Sequence, residues 1–353
     1  MADVVIVGAG PAGAALALRL ARAGISVTVV ERAQFPRQKV CGEYLGLGAL
    51  GALDALGLGD VVREHGSPLR AVRISAHGER AELPFSRPAL AIARDRLDAT
   101  LLDAAIVAGA KLVTGRAEDI VFDAARRRVA GVSVRMPSGD RVDLGARTVV
   151  GADGTGSLVA RKLGLTRRMP ADSKFAVGGH YRMQRAQSDA VEMLYDGDTY
   201  LAINPLGGGL ANVMAVVPKT RVETWSHALD ARLSGRCGPR VAVGPLTHRV
   251  RRTIAPGALL AGDAAGFLSP FTGQGVFLAL RSAQRAAAAI ADGSEAAFVA
   301  YDRAQRRELR ARYALSKLVD SLVVFPPLAR MTAQRLRDSP PLATLLVDTV
   351  SGA

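Results

Sequence analysis

The chain has 353 residues, 49% hydrophobic and 22% charged, enough for two domains with a sizeable core. Its formal net charge of +14 invites a nucleic-acid reading, but only six residues are lysine (39, 111, 162, 174, 219 and 317). The rest of the positive charge is arginine, and no RNP-like aromatic pattern or zinc-finger spacing accompanies it, so no nucleic acid is expected. Two cysteines, Cys41 and Cys237, lie far apart and outside any C-x-x-C, which excludes a disulfide framework and a zinc site; no metal is expected. No basic region and apolar core precede Asp3. The apolar stretch Leu318 to Leu328 is interrupted by Asp320, Pro326 and Pro327. The expectation is a cytoplasmic protein without a transmembrane segment; peripheral membrane contact and the oligomeric state, a monomer included, stay open.

Along the chain, the first stretch says most. Val4 to Val7 suits a strand buried on both faces, and it stops at Gly8, Gly10 and Gly13 in the order G-x-G-x-x-G. Pro11 and Ala12 then open an Ala/Leu-rich helix that ends at Gly24. A second strand covers Ile25 to Val30, closed by Glu31 and followed by Arg32. Gly8 allows the tight turn, Gly10 lets the backbone approach a pyrophosphate, and Gly13 lets the helix lie close against the sheet. The helix start presents unpaired N–H groups to phosphate, and Glu31 can accept hydrogen bonds from ribose hydroxyls. This βαβ unit suits FAD and NAD equally.

A short polar segment, Arg37 to Glu43, precedes a helix from about Gly48 to Leu56 and a turn at Gly57 to Gly59. Leu69 to Phe85 alternates as a β-hairpin about His77 and Gly78. A helix follows at Arg94 to Ala108. Strands follow at Lys111 to Val113, Ala117 to Phe122, Val129 to Met136, Asp140 to Leu144 and Arg147 to Val150, the last running into GADGTGSLVAR. Phe175 to Val217 is rich in strands, with turns at Asp196 to Asp198 and Gly207 to Gly209, and Lys219 to Leu233 is an amphipathic helix. A strand at Ala258 to Leu260, the loop AGDAAGFLSPFTGQG and a helix from Val276 to Ala291 resume the dinucleotide domain. Ser294 to Ala353 is helical, with breaks at Pro326 and Pro340.

Together, GAGPAG at Gly8 to Gly13, GADGTGSLVAR at Gly151 to Arg161 and GDAAGFLSPFTGQG at Gly262 to Gly275 resemble one FAD-binding family over most of the chain. It comprises the p-hydroxybenzoate-hydroxylase-type monooxygenases, flavin halogenases and geranylgeranyl reductases. FPRQKVCGEYL at Phe35 to Leu45 and the GDAAGFLSPFTGQG loop are most similar to the geranylgeranyl reductase branch. The resemblance implies an α/β fold: a Rossmann-like FAD-binding domain (1–68, 88–165 and 250–310), an inserted mixed-sheet substrate domain (69–87 and 166–249) and a helical C-terminal region (311–353).

The chemistry of the motifs agrees. Asp263, beside Gly262, suits a hydrogen bond to a ribityl hydroxyl, and Pro270 rigidifies the approach. Thr272 to Gly275 begins the following helix, and its N–H groups are able to stabilise negative charge on a reduced flavin; Gly273, Gln274, Gly275 and Val276 are candidate cofactor-binding residues. The resemblance further implies FAD contacts from Arg94 and the backbone near Ala117, a place for Asp153 and Gly154 near the pyrophosphate, and Cys41, Gly42 and Glu43 passing the isoalloxazine. Cys41 reads as a reactive thiol or as a small side chain packed on the ring; Lys39 pairs with phosphate or is solvated. His180 is the one histidine suited to acid–base work.

Halogenases of the family carry a downstream lysine and often W-x-W-x-I-P. Here no lysine lies between Lys39 and Lys111, and the one tryptophan, Trp225, falls in a helix, so halogenation is disfavoured. The reductases' Y-x-W-x-F-P corresponds to YLAINP, which keeps Tyr200 and Pro205 but has Ala202 and Asn204 in place of two aromatics, reshaping the cavity. Candidate substrate residues are Tyr200, Asn204 and Pro205; candidate catalytic residues are Cys41, Tyr200 and His180. The expected function is an FAD-dependent oxidoreductase with NAD(P)H as a transient donor. The leading expectation is a monooxygenase oxidising an apolar aromatic or polyketide-like small molecule in secondary metabolism. Reduction of a substrate C=C bond is the alternative, with a non-catalytic flavoprotein third.

Overall fold

The computed structural model describes residues 2–39, 41–125, 127–167, 174–183, 188–233, 235–267 and 273–352. Two eight-stranded sheets organise them. The first contains β1 (Ala2–Val7), β2 (Val27–Glu31), β6 (Lys111–Thr114), β7 (Arg116–Phe122), β8 (Val129–Arg135), β9 (Arg141–Gly151), β15 (Ile254–Ala255) and β16 (Ala258–Leu260). The second contains β3 (Tyr44–Leu45), β4 (Ser67–Ala76), β5 (Glu79–Ala91), β10 (Lys174–Arg182), β11 (Ala190–Asp196), β12 (Thr199–Gly207), β13 (Leu210–Pro218) and β14 (Arg236–Val243). The α-helices are α1 (Pro11–Arg22), α2 (Leu47–Asp54), α3 (Gly59–Glu64), α4 (Arg94–Val107), α5 (Leu158–Lys162), α6 (Val222–Arg232), α7 (Gly275–Asp292), α8 (Glu295–Val324), α9 (Pro326–Asp338) and α10 (Pro340–Ser351).

β1 is the spine of the first sheet because both of its faces are apolar. It pairs in parallel with β2 (Ile6 opposite Val29) and with β9 (Ile6 opposite Val150). Val4 and Ile6 enter one core, Val5 and Val7 the other, as strand alternation requires. Gly8 then turns at φ +100, where a Cβ would stand 2.5 Å from the Ala152 carbonyl oxygen, and a Cβ on Gly13 would collide with the Gly8 carbonyl. These two glycines are demanded by the protein's own packing.

In the second sheet, the β4–β5 hairpin turns on His77 and Gly78, both at positive φ as a two-residue hairpin loop of this twist needs. One face packs on α6, joining Val177, Tyr181, Val213 and Leu229. The other face, with Leu83, Met193 and Met214, meets Val319, Val323, Leu336 and Val347 from α8, α9 and α10. The C-terminal helices therefore roof this sheet.

Several elements depart from expectation. The stretches expected as two strands at Asp140–Leu144 and Arg147–Val150 form one strand, β9. It pairs antiparallel with β8 through Gly145 opposite Gly131, then parallel with β1 from Ala146 opposite Ala2. Small residues at the handover let one strand serve two partners. The turn at Gly57–Gly59 leads straight into α3, anchored by Arg63 to Asp54 at 2.7 Å. β14 escaped notice because RCGPRVAV holds a glycine and a proline; it is an edge strand, where Pro239 breaks no interior ladder. The second sheet also takes in Tyr44–Leu45 and Ser67–Ala91, more than the 69–87 expected.

Candidate active site

A cavity of about 310 Å³ runs from the glycine turn of the first sheet to the face of the second sheet beneath the C-terminal roof. Gly10, Pro11, Ala12, Ala152, Gly154 and Thr155 line its first part. Gly10 is informative here. A Cβ on it would meet only Arg37 Nη2, at 3.8 Å, so no protein atom requires glycine and the open room is left for a ligand. Gly154 is alike: at φ +81 its nearest neighbour would be Lys39 Nζ at 3.7 Å. With the α1 N-terminus, Lys39 and Arg37 around this space, the donor set suits a pyrophosphate.

Glu31 Oε2 accepts the Ala9 N–H and Oε1 the Ala33 N–H, both at 2.9 Å, so its carboxylate braces the glycine turn and keeps lone pairs for a ribose. Asp263, in the short 3-10 turn after β16, lines the cavity floor, and burial raises its pKa while Lys39 and Arg94 oppose the rise. Lys39 is exposed and borders the cavity. Desolvation at the cavity, aided by Arg94, lowers its pKa against the pull of Asp263. Gly273, Gly275 and Val276 border the cavity, and Gly275 begins α7. The open glycine cradle, cationic rim and helix N-termini fit FAD.

Next to the cradle, residues 41–43 are fastened from three sides. Asn212 Nδ2 donates to the Cys41 carbonyl at 2.6 Å. Asn204 Nδ2 donates to the carbonyls of Gly42 (2.9 Å) and Glu43 (2.8 Å). Asn204 and Asn212 are cross-strand partners on β12 and β13, so the register of the sheet sets both clamps at once. Glu43 sits at φ +56 and is 5% exposed. Its Oε1 accepts the Arg94 N–H at 2.9 Å, and its Oε2 pairs with His180 Nε2 at 2.7 Å. That hydrogen bond raises the His180 pKa, against partial desolvation. Arg94 binds Asp98 twice, at 2.9 and 2.8 Å. Burial alone would lower its pKa; Asp98 and Cys41 reverse that and raise it.

Beyond this loop the cavity becomes an apolar chamber. Along β12, Tyr200, Ala202 and Asn204 face it, while Leu201 and Ile203 pack beneath the sheet on the α6 side. Burial raises the Tyr200 pKa, and its ring lies 5.3 Å from that of Tyr195.

The expected site residues divide accordingly. Gly10, Pro11, Ala12, Lys39, Cys41, Gly42, Arg94, Gly154, Asp263, Gly273, Gly275, Val276, Tyr200 and Asn204 share the cavity wall. Gly8, Gly13 and Gly262 act behind it: a Cβ on Gly262 would stand 2.7 Å from the Ala12 Cβ. His180 reaches the site through Glu43. Asp153 turns away from the cavity wall; its Oδ2 takes the Leu158 N–H at 2.6 Å and so holds the start of α5. Gln274 donates its side-chain amide to the Val350 carbonyl of α10. Arg32 is exposed, and Ala117 sits on β7 opposite Val134, against the core, away from the cavity wall. Pro205 has the opposite parity to Asn204, so the strand period carries it off the chamber wall. Pro270 lies outside the described residues. Asn212 and Asp98 were missed, and Glu43 was given no role; only Asp98, four residues after Arg94 on one helix face, left a local signal.

The cradle and chamber define a flavoprotein oxidoreductase fold, and comparison with known proteins agrees. The FAD binding domain family (FAD_binding_3) matches residues 1–236, and the chain belongs to it. It is 32% identical over 315 residues to the menaquinone reductase of Mycobacterium tuberculosis, covering 81% of this chain and 76% of that protein. It is 30% identical over 341 residues to the digeranylgeranylglycerophospholipid reductase 2 of Methanothermobacter thermautotrophicus, covering 92% of this chain and 86% of that one. Among solved structures, a flavin-dependent brominase superposes with a TM-score of 0.86 at 23% identity, over 100% of this chain and 94% of its own, a likeness of fold. The chain is an FAD-dependent oxidoreductase. Among the described residues, no helix is long and apolar enough to cross a membrane.

Proposed function

We propose that this enzyme reduces a carbon–carbon double bond in an apolar, isoprenoid-type small molecule. One observation carries the reading: the charged side chains on the cavity wall, Lys39, Glu43, Arg94 and Asp263, gather at the cradle, and the far end is walled by aliphatic residues such as Val72, Val216, Val319 and Val347. A long apolar molecule is drawn into such a chamber by loss of its water-exposed surface. The names of both reductases similar over most of the chain denote molecules with long apolar chains. When bound, FAD supplies hydride chemistry, fed by a nicotinamide donor such as NADPH that docks transiently.

The chain's own residues have separate tasks. The apolar wall binds the substrate and excludes water, and the clamped 41–43 loop fixes the floor on which it lies. Adding two hydrogens to a double bond needs a proton besides the hydride. Tyr200, whose hydroxyl burial keeps protonated, is a protic side chain on the chamber wall that could supply it. Monooxygenation is the second reading, favoured by the amides of Asn204 and Asn212 on a wall that lacks the aromatic pair of geranylgeranyl reductases. Anaerobic turnover with NADPH and prenylated substrates decides: a product gaining two hydrogens without oxygen supports reduction, and a product formed only in air, carrying labelled oxygen, refutes it.

A further inference from the structure

We propose that the chamber continues through a second exit between the β4–β5 hairpin and the α8–α9 corner, and that this exit takes the aliphatic tail of a substrate too long for the chamber. The proposal rests on the apolar-substrate reading above. α9 presents Ala329, Thr332, Ala333 and Leu336 to the hairpin, the i, i+3, i+4, i+7 stripe of one helix face. Opposite stand the cross-strand pairs Ile74–Ala81 and Ala76–Glu79.

A helix on a sheet ordinarily fills this layer with large side chains, because interiors pack as densely as organic crystals. Here alanine occupies 76, 81, 329 and 333, and a space of about 40 Å³ is left between the layers. Its inner wall is Ile74, Leu322, Val323, Thr332 and Leu336, and those same five residues also wall the chamber. Rotamer changes in Leu322 and Leu336 would therefore join the two spaces. Polar contacts stand at the outer rim. Arg337 Nη1 meets Glu79 Oε2 at 3.0 Å and the Arg80 carbonyl at 3.1 Å, and His77 Nε2 lies 2.9 Å from the Val324 carbonyl. The Arg337 and Glu79 side chains are 49% and 31% exposed, and an ion pair so open to water is easily parted. An apolar channel with a cheaply opened polar rim suits a hydrocarbon chain: it excludes charge along its length and lets the end of the chain pass into solvent or lipid.

The test uses FAD-loaded enzyme and straight-chain primary alcohols of increasing length, with affinity read by calorimetry and by the fluorescence of the bound flavin. In the parent enzyme affinity should rise roughly fourfold per added methylene, the burial value for one CH₂, and continue to rise past the length that fills the chamber. Ala333 and Ala81 line the exit and not the chamber, so Ala333→Phe places a ring in the exit from the helix side and Ala81→Leu obstructs it from the strand side. In both, the rise should stop at a shorter chain while short alcohols bind as in the parent. Retained flavin absorbance and melting temperature show that each variant is folded; if the α9 variant is not, the strand variant decides. The same limiting length in the parent and in a folded plugged variant overturns the exit and leaves the chamber reading intact. Failure of every alcohol to bind the parent overturns both.

Discussion

His180→Ala would strip a buried carboxylate of its charged partner. Glu43 is 5% exposed and, without His180, its carboxylate keeps the Arg94 N–H at 2.9 Å. Removing one member of a buried pair costs about 3–5 kcal/mol, because the other charge stays desolvated. The His180 side chain is 18% exposed, so water reaches the gap and the lower end, about 3 kcal/mol, is expected. The sign of the pH dependence follows from the raised His180 pKa. The pair's contribution is complete below the free-histidine value of about 6.5 and is lost as pH rises through the higher folded value. The stability gap between parent and variant should thus be widest near pH 6 and narrow in alkali. Glu43→Gln keeps an acceptor for the Arg94 N–H but removes the charge, and should flatten the profile. Denaturant unfolding followed by flavin release across that pH range makes the measurement. A gap independent of pH, or no larger than that of the exposed His65→Ala, would refute the reasoning, since surface changes usually stay within about 0.5 kcal/mol.

The two glycines of the cradle should separate folding from binding. Gly10→Ala meets no close protein atom, so the melting temperature should hold while the flavin content of purified protein falls; Gly13→Ala, aimed into the Gly8 carbonyl, should abolish soluble expression. The reverse order would contradict the cradle assignment. Asp98→Asn leaves the Arg94 guanidinium, in a residue 6% exposed, short of its bidentate charged partner, and should lower stability by about 3 kcal/mol in denaturant; an unshifted midpoint counts against it. Asn204→Leu loses two hydrogen bonds worth about 1 kcal/mol each, but it also removes a buried Oδ1 without a hydrogen-bond partner, which offsets about 1–3 kcal/mol. Overall stability should change by less than about 1 kcal/mol, while the 41–43 loop, loosened at Gly42 but still held through Asn212 and the Glu43 carboxylate, alters the visible spectrum of the bound flavin and the substrate preference. If spectrum and preference both stay as in the parent, Asn204 does not hold that loop.

Much of the fold was legible because its signals are local. The glycine spacing, Pro11, the apolar run of β1 and the Gly24 stop lie within one βαβ unit, and each is dictated by backbone sterics or by burial of a neighbouring strand. The β4–β5 hairpin and the proline breaks before α9 and α10 were readable on the same ground. β9 was not, since what keeps it whole is the exchange of one partner strand for another. The site needed the tertiary structure even more. Glu43 and His180 are 137 residues apart, and Asn212 is 171 from the carbonyl it holds; no spacing within either segment announces the meeting. The same register decided which residues of YLAINP face the chamber, turning Tyr200 and Asn204 inward and Pro205 away. Sequence alone thus determined that a dinucleotide cradle exists and where its glycines stand, because those demands are met by adjacent atoms. What surrounds the reacting end of the cofactor was decided by sheet pairing and by helices folding back from the far end of the chain, because partners in a buried network are chosen by proximity in space.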